Sequence, residues 1–223
     1  MSEAVPANPT AVQPKKYYSG LPDDPRLWAV PRWVKVVFVA VAFAAITSAV
    51  SAILYREFGG AGERARLALD GQLLEPPAAA ADFKFPKRGG GEKSLADYRG
   101  KVVFLNFWGS FCVPCREEMP SMAALARKLD PSTFAMVAIS ADQDWAAVDK
   151  FFGGAATPYD VLLDTGGASG LAKRYGTSKI PDTYLIDAEG RVRVKFENLR
   201  DWSDPNAVRL LESLGAPRVQ PPA

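Results

Sequence analysis

The chain has 223 residues, and its 27 Lys and Arg residues nearly balance 25 Asp and Glu residues, for a formal net charge of +2. So small a charge creates no field that would recruit nucleic acid, and we expect no nucleic-acid partner. The chain also contains no His and only two Cys residues. This composition excludes a conventional zinc site, haem attachment through Cys-x-x-Cys-His, and catalysis by Ser-His-Asp or Cys-His groups within the chain. We therefore expect neither a metal ion nor an organic cofactor.

The first part of the chain divides into a polar tail and an apolar segment. Residues 1–33 are rich in Pro and small or polar residues without periodicity, which predicts a disordered tail. Residues 34–55 follow, and the run from Val36 to Tyr55 contains no charged side chain. Twenty helical residues span roughly 30 Å, the thickness of the hydrocarbon core of a bilayer. The sequence therefore predicts a transmembrane helix over 34–55, whereas the buried helix of a soluble protein is usually shorter and interrupted by polar residues.

Basic residues around this segment indicate its orientation. Five precede it and three follow within a similar distance: Lys15, Lys16, Arg26, Arg32 and Lys35, then Arg56, Arg64 and Arg66. This excess predicts a single-pass protein of the cell membrane, with a cytoplasmic N-terminus and a periplasmic or otherwise extracytoplasmic C-terminal domain. A cleaved signal peptide would deliver the domain to the same compartment. We favour a retained signal anchor, because the apolar run exceeds the roughly 7–15 residues of a signal peptide and no Ala-x-Ala site closes it.

The rest of the chain indicates a linker followed by an α/β domain. Residues 56–80 are rich in Gly, Ala and Pro and are predicted to be a linker. Over residues 81–218, short apolar runs alternate with helical candidates, which predicts a mostly parallel sheet flanked by helices. The predicted strands are 102–107, 134–140, 161–163 and 183–187, and the predicted helices lie near 114–129, 144–152 and 168–175. A turn at 187–190 adds an antiparallel strand over 191–196, and a last helix runs from Pro205 to Leu214.

The two cysteines form the motif Cys112-Val113-Pro114-Cys115, at the junction between a predicted strand and a predicted helix. Unpaired N–H groups and the dipole at a helix N-terminus stabilise a thiolate, so we expect the pKa of Cys112 to lie below the ~8.5 of free cysteine. The thiolate is the attacking species in disulfide exchange, and Cys115, one turn later, can resolve the mixed disulfide. A purely structural bridge is the alternative, but one that encloses only two residues constrains the unfolded chain little. The motif therefore predicts a redox-active dithiol.

Two segments carry a resemblance to a known family. Asn106-Phe-Trp-Gly-Ser-Phe-Cys-Val-Pro-Cys-Arg-Glu-Glu-Met-Pro120 resembles the active-site segment of the TlpA- and ResA-like membrane-anchored thioredoxins. Residues 179–187, with the sequence KIPDTYLID, resemble the cis-proline strand of that family. The resemblance implies a thioredoxin-like fold, in which a central mixed sheet is flanked by helices and carries an extra strand-helix insert, after one N-terminal transmembrane helix. It also implies that Pro181 is cis and packs beside the Cys pair, where the backbone of Ile180 binds a substrate strand.

Three residues near the motif are compared with the general thioredoxin pattern. Two of them differ from it, and the third has two possible roles. Asn106 stands where cytosolic thioredoxins have a buried Asp, and an amide cannot titrate. Phe111 replaces the Trp that usually precedes the first Cys, which keeps the surface that a substrate meets apolar. Trp108 either lines the entrance to the motif and contacts substrate or belongs to the core, and the sequence leaves both interpretations open. With Ile180 and Pro181, Trp108 and Phe111 are the predicted substrate-binding residues.

Glu118 is the predicted third catalytic residue. In a helix over 114–129, Glu118 shares one face with Cys115, Met122 and Leu125. A carboxylate on an apolar face is unusual, and partial burial would raise its pKa toward the range in which it exchanges protons with Cys115. The alternative is that Glu118, like Glu117, complements the positive end of the helix at the surface. The resemblance favours the catalytic interpretation, because the family has an acid at this position.

Together these features predict a thiol-disulfide oxidoreductase, most simply a disulfide reductase that accepts electrons from a transmembrane thiol donor and reduces protein disulfides. The resemblance suggests apocytochrome c, before haem attachment, as the substrate. A peroxiredoxin-like peroxidase is one alternative, although the Pro-x-x-x-Thr-x-x-Cys pattern of that class is absent before Cys112. A copper-binding or copper-delivery module that uses the thiols as soft ligands is another, although related copper chaperones add a His.

Overall fold

The computed structural model of the chain describes residues 31–54 and 60–219. The predicted tail over residues 1–33 lies almost entirely outside the described residues. The chain divides into two units, Met1–Ser51 and Ala52–Ala223.

The described part of the first unit belongs to a helix, α1, which runs from Arg32 to Leu54 and matches the predicted apolar helix to within two residues. Its 23 residues correspond to about 35 Å at the rise of an α-helix. None of the segment Trp33–Ser51 is buried against other parts of the protein. Bulky apolar side chains such as Phe38 and Phe43 are exposed, at 71% and 69%. By length and composition α1 is able to cross a membrane.

The second unit is built from eight strands and five helices within the described residues. In chain order they are α2 (Gly60–Ala68), β1 (Gln72–Ala79), β2 (Lys84–Pro86), β3 (Glu92–Ser94), β4 (Val102–Trp108), α3 (Val113–Ala126), β5 (Phe134–Ser140), α4 (Trp145–Phe152), β6 (Asp160–Leu163), α5 (Leu171–Arg174), β7 (Asp182–Ile186), β8 (Arg191–Glu197) and α6 (Pro205–Ser213). Short 3-10 turns lie at Leu95–Tyr98 and Thr165–Gly167.

Six of the strands form one mixed sheet in the order β1-β8-β7-β4-β5-β6. Strands β4, β5 and β6 are parallel, whereas β7 pairs antiparallel with β4 and β8. Every residue of β4 is buried, because both faces of this central strand are covered, and this explains its continuous apolar run. The mixed thioredoxin-like sheet and its extra strand-helix pair are confirmed, since both β5-α4 and β6-α5 lie between α3 and β7.

The apolar core has one part on each face of this sheet. On the first face, buried residues of α2, α3 and α6 pack with Phe104, Phe196 and Trp202. On the second face, Leu105, Ile139 and other strand residues pack with Leu171 of α5 and with Tyr98. Alternate residues of β4 therefore face opposite layers, as expected for a strand. Asn106 thereby faces the same layer as Phe104, toward α3.

The structure corrects the linker predicted over residues 56–80. Residues 60–68 form α2, which packs on α6 and buries Gly62 and Ala65. Residues 72–79 form β1, which pairs with β8 through Leu73 and Val194, among other pairs. A Gly- and Ala-rich composition favours flexible segments, but here it permits close packing, since a Cβ atom at Gly62 would clash with the side chain of Ser213. The folded domain therefore includes residues before the predicted start at 81.

One predicted helix is much shorter than expected. The sequence predicts a helix over 168–175, whereas α5 covers only Leu171–Arg174. The glycines that precede it have positive φ angles, 67° at Gly167 and 68° at Gly170. Such backbone angles cannot belong to a right-handed helix, so the chain turns there before α5 begins.

Contact between α2 and α6 makes Gly62 a test of this corrected boundary. We expect Gly62→Leu to lower the free energy of unfolding by about 1–3 kcal/mol, because the added side chain must displace α6. Ala68→Leu, on an exposed position of the same helix, should change stability by no more than about 0.5 kcal/mol. Denaturant unfolding of the full chain, followed by tryptophan fluorescence, measures both variants. Equal stabilities would indicate that residues 60–68 do not pack on the domain.

Candidate active site

The Cys pair lies where β4 leads into α3. Strand β4 ends at Trp108, and Cys112 is the N-cap residue of α3. The sulfur of Cys112 accepts a hydrogen bond from the backbone N–H of Cys115, with an N to Sγ distance of 3.2 Å. Cys112 and Cys115 form a disulfide with their Cα atoms 5.3 Å apart. The predicted strand-turn-helix setting is confirmed, and the N–H group that caps the sulfur is one that stabilises a thiolate after reduction.

The two sulfur atoms differ in accessibility. Cys112 retains 8% of its surface in solvent, whereas Cys115 is fully buried. Beside Cys112, Phe111 is 67% exposed and Val113 is 64% exposed. A disulfide of another protein can therefore reach only the Cys112 sulfur, and it meets an apolar surface around it.

The predicted cis-proline also lies at this site. The peptide bond between Ile180 and Pro181 is cis, as the resemblance implied. The carbonyl oxygen of Ile180 lies 3.6 Å from the sulfur of Cys112. Among the predicted substrate-binding residues, Ile180 lies against Cys112 and Pro181 follows it in the chain. Phe111 is exposed directly before Cys112. The backbone of Ile180 is placed to meet whatever segment approaches the Cys112 sulfur.

Trp108 does not lie at the surface of the site, so its predicted role in contacting substrate is wrong. The side chain is fully buried. Its ring packs against Phe151 and Phe152 of α4, with centroid distances of 4.9 Å and 5.5 Å. The reason is that β4 is covered on both faces along its whole length, so its last residue still points into the core. Trp108 instead supports the α4 side of the site from within.

Glu118 lies one helical turn after Cys115 and is buried, with 1% of its surface exposed. The side-chain amide of Asn106 donates a hydrogen bond of 2.8 Å to Oε1 of Glu118. Longer contacts of 3.4 Å join Oε2 to the backbone N–H of Arg200 and to the indole N–H of Trp202. Burial raises the pKa of Glu118 to about 7, and these donors oppose the rise. The predicted burial on the Cys115 face of α3 is confirmed.

Asn106 holds this carboxylate from the sheet side. Its amide nitrogen donates to Glu118 and, at 3.0 Å, to the hydroxyl of Thr183 in β7. Because Asn106 and Thr183 are paired neighbours on β4 and β7, the strand register fixes the amide. The position that holds an acid in cytosolic thioredoxins thus holds a hydrogen-bond donor that cannot titrate.

Arg200 and Trp202 are site residues that the sequence did not reveal. The guanidinium of Arg200 donates to the carbonyl of Leu69 at 2.8 Å and lies 3.2 Å from the carboxylate of Asp70. The indole of Trp202 packs on Phe104 and Phe196, with centroid distances of 4.7 Å and 5.1 Å. Both residues are more than eighty positions from Glu118 in the chain, and no local pattern could have paired them. Together they cover the Glu118 carboxylate.

Fold and site define a thioredoxin-like protein whose reactive group is a Cys-x-x-Cys disulfide. The chain matches the AhpC/TSA family over residues 76–195. It is 30% identical to the thiol-disulfide oxidoreductase ResA of Bacillus cereus over 169 residues, which cover 75% of this chain and 91% of that protein. It is 34% identical to ResA of Bacillus thuringiensis over 132 residues, covering 58% and 75%. The chain therefore belongs to the AhpC/TSA family and is a ResA-like thiol-disulfide oxidoreductase.

Solved structures agree with this assignment. A thiol:disulfide interchange protein DsbE of Chlorobium tepidum is 29% identical, with a TM-score of 0.54 over 64% of this chain and 99% of that chain. A DsbF homologue of Corynebacterium diphtheriae is 23% identical, with a TM-score of 0.55 over 65% and 92%. The second likeness supports the fold only.

The burial of Glu118 predicts a specific dependence of stability on pH. The pKa of this carboxyl is near 4.5 when unfolded and about 7 in the folded chain, so the folded state binds the extra proton between these values. The free energy of unfolding should therefore fall as pH rises through this range, by on the order of 3 kcal/mol in total. Glu118→Gln removes the group and should lack this decline, as denaturant unfolding between about pH 4 and 8 would reveal. Glu117→Gln, an exposed neighbour, is the control and should keep the wild-type slope; parallel curves for all three proteins would contradict the buried carboxylate.

Proposed function

We propose that this oxidoreductase reduces disulfides of other proteins, through a Cys112/Cys115 dithiol-disulfide cycle, on the extracytoplasmic side of a membrane. The observation that carries the proposal is the position of the Cys112 sulfur, which caps α3 at the surface, 3.6 Å from the carbonyl oxygen of Ile180. The family assignment supports the type of reaction. The direction of electron flow, the substrate and the compartment are our inference.

The cycle uses both sulfurs in a fixed order. In the reduced protein, the Cys112 thiolate attacks one sulfur of a substrate disulfide, and the other substrate sulfur leaves as a thiolate. Cys115 then loses its proton and attacks the Cys112 sulfur in the mixed disulfide, which releases the second substrate thiolate and forms the Cys112–Cys115 bridge. The substrate gains two electrons and two protons, and the Cys pair loses them. A transmembrane thiol donor restores the dithiol by the reverse exchange.

Glu118 is the group that we assign to move the proton of Cys115. The Cys115 thiol is fully buried, so water cannot serve as its base directly. Asn106 cannot titrate, and the buried Asp182 lies on the other face of the sheet, 3.5 Å from the ammonium of Lys195. Glu118 lies on the same face of α3 as Cys115, and its pKa of about 7 lets it accept a proton and return it near neutral pH.

Substrate binding is assigned to the surface around Cys112. Phe111 and Val113 offer exposed apolar contacts, and the Ile180 backbone beside cis-Pro181 offers hydrogen bonds to an extended segment. Such a surface recognises an unfolded or flexible chain better than a rigid domain, because backbone pairing requires an extended partner. An apocytochrome c, whose cysteines must be reduced before haem attachment, is a substrate of this kind.

The proposed location depends on α1 and its flanking charges. The helix is long and apolar enough to cross a membrane, and none of its segment Trp33–Ser51 is buried. The positive charges on its N-terminal side favour a cytoplasmic N-terminus. We therefore place the Cys pair outside the cytoplasm, held near the membrane by a retained anchor.

The site favours this reaction over the two alternatives. A peroxidase of the Pro-x-x-x-Thr-x-x-Cys type would need Thr three residues before its reactive Cys, and Gly109 stands there. A copper-delivery module would need both sulfurs as ligands, but Cys115 is fully buried behind Cys112. Disulfide exchange requires only one accessible sulfur at a time.

The equilibrium potential of the Cys112–Cys115 couple tests the proposed direction. We expect a value of about −250 mV or lower, near the reducing end of the roughly −270 to −120 mV range of thioredoxin-fold pairs. Equilibration of the full chain with glutathione or dithiothreitol buffers, followed by thiol alkylation, gives the value. Cys115→Ser, which cannot form the bridge, provides the blank. A potential near −120 mV would instead identify an oxidant.

A change in the pH profile tests the role of Glu118. If Glu118 accepts the proton of Cys115, the rate at which Cys115 resolves a mixed disulfide should inflect near pH 7, and Glu118→Gln should remove that inflection. The rate above the inflection should fall by up to about 10²-fold in the variant. Stopped-flow measurement of product release across the pH range follows the step. Glu117→Gln should behave as wild type, and an unchanged profile in Glu118→Gln would exclude the proposed role.

A further inference from the structure

A surface pocket of about 510 Å³ adjoins the Cys pair, and the proposed cycle does not use it. It is lined by Ser110, Arg116, Ala147, Lys150 and Phe151. Ser110 lies two residues before Cys112, and Arg116 follows Cys115 directly. Two of its lining residues thus flank the Cys motif in the chain, and the pocket lies between the first turn of α3 and helix α4.

Both charged side chains that line this pocket are cationic. Arg116 and Lys150 are exposed, and neither forms a salt bridge within residues 31–54 and 60–219. The Arg116 guanidinium carbon lies 5.6 Å from the centre of the Phe151 ring, a distance at which the ring face attracts the cation. The pocket thus combines two unpaired positive charges with an aromatic surface.

Three carboxylates near α4 are engaged elsewhere: Asp142 and Asp144 before the helix, and Asp149, which pairs with Arg88. Asp142 is buried and accepts hydrogen bonds from the backbone N–H and hydroxyl of Ser110, at 2.9 Å and 2.6 Å, and from the Ser140 hydroxyl at 2.6 Å. Asp144 caps α4 by accepting the backbone N–H of Ala147 at 3.0 Å. These contacts also make the pocket rigid, since they hold the loop before Cys112 and the start of α4.

We propose that this pocket binds an acidic side chain of the protein substrate, a Glu or Asp close to the substrate cysteine that Cys112 attacks. The guanidinium of Arg116 and the ammonium of Lys150 pair with the carboxylate, while the methylene groups of the side chain pack on Phe151. The inference rests on the proposed function, because it concerns a peptide already positioned at Cys112. The pocket would give the protein a preference for negatively charged substrates, which the Cys motif and the cis-proline do not provide.

Geometry limits where the acidic residue must lie. Positions four apart on a helix have Cβ atoms roughly 6 Å apart, so the Cβ atom of Arg116 lies about that far from the Cβ atom of Cys112. An extended chain advances about 3.3 Å per residue. The acidic residue of the substrate is therefore two or three positions from its reactive cysteine.

Three peptide disulfides that differ only in the residue two positions from the cysteine, Glu, Gln or Lys, test the proposal. With the full chain at low salt, we expect kcat/KM to follow the order Glu, Gln, Lys, with about a tenfold preference for Glu over Gln that weakens at high salt. The double variant Arg116→Gln/Lys150→Gln should reduce the Glu-to-Gln ratio to about one. Lys150→Gln alone, on exposed α4, should reduce it about threefold. Any effect of Arg116 on the Cys112 thiolate acts on all three peptides and cancels in the ratio.

A matched control separates this pocket from general surface charge. Lys128→Gln makes the same charge change as Lys150→Gln on an exposed residue just after α3, and should keep the wild-type preference for the Glu peptide. Equal rates with all three peptides, or a preference that survives in the double variant, would overturn the proposal. If no peptide were reduced at all, the proposed function itself would fail, and the two failures are thus distinguishable.

Discussion

The capping of α3 by the Cys112 sulfur is the interaction on which the rest of the site depends. A sulfur in this position occupies the place that a Ser or Asp oxygen usually takes at a helix start. In the disulfide form, the hydrogen bond from the Cys115 N–H therefore stabilises the start of the helix. After reduction, the same donor faces the Cys112 thiolate and stabilises its charge. The strand before it, buried along its whole length, sets where this helix begins.

Behind the cap, the protein keeps a carboxyl group in a place where a charge is costly. Burial disfavours the ionised form of Glu118, while the amide of Asn106 and the N–H groups of Arg200 and Trp202 favour it. The balance leaves the pKa close to neutrality, where either form is accessible at low cost. A chain without His can obtain a proton carrier of this kind only by adjusting a carboxyl, Cys, Lys or Tyr group.

Local sequence patterns predict the centre of the site, but they cannot reveal contacts between distant segments of the chain. The Cys pair at a strand-helix junction, the helical spacing of Cys115 and Glu118, and the proline at 181 are each visible within a few residues of sequence. The burial of Trp108 depends on what covers β4, and the contacts of Arg200 depend on a turn that lies 130 residues earlier. Composition was misleading for residues 60–79, because Gly and Ala favour flexible segments and close helix packing alike.

Arg200 connects the site to the segment that precedes the predicted start of the domain at residue 81. Its guanidinium is held by Leu69 and Asp70, between α2 and β1, and β1 covers the outer edge of β8. A soluble fragment that begins at residue 81, where the sequence places the domain, would lose the partners of Arg200 and leave β8 as a bare sheet edge. Such an edge invites pairing between copies, so a fragment for solution work should begin at Gly60.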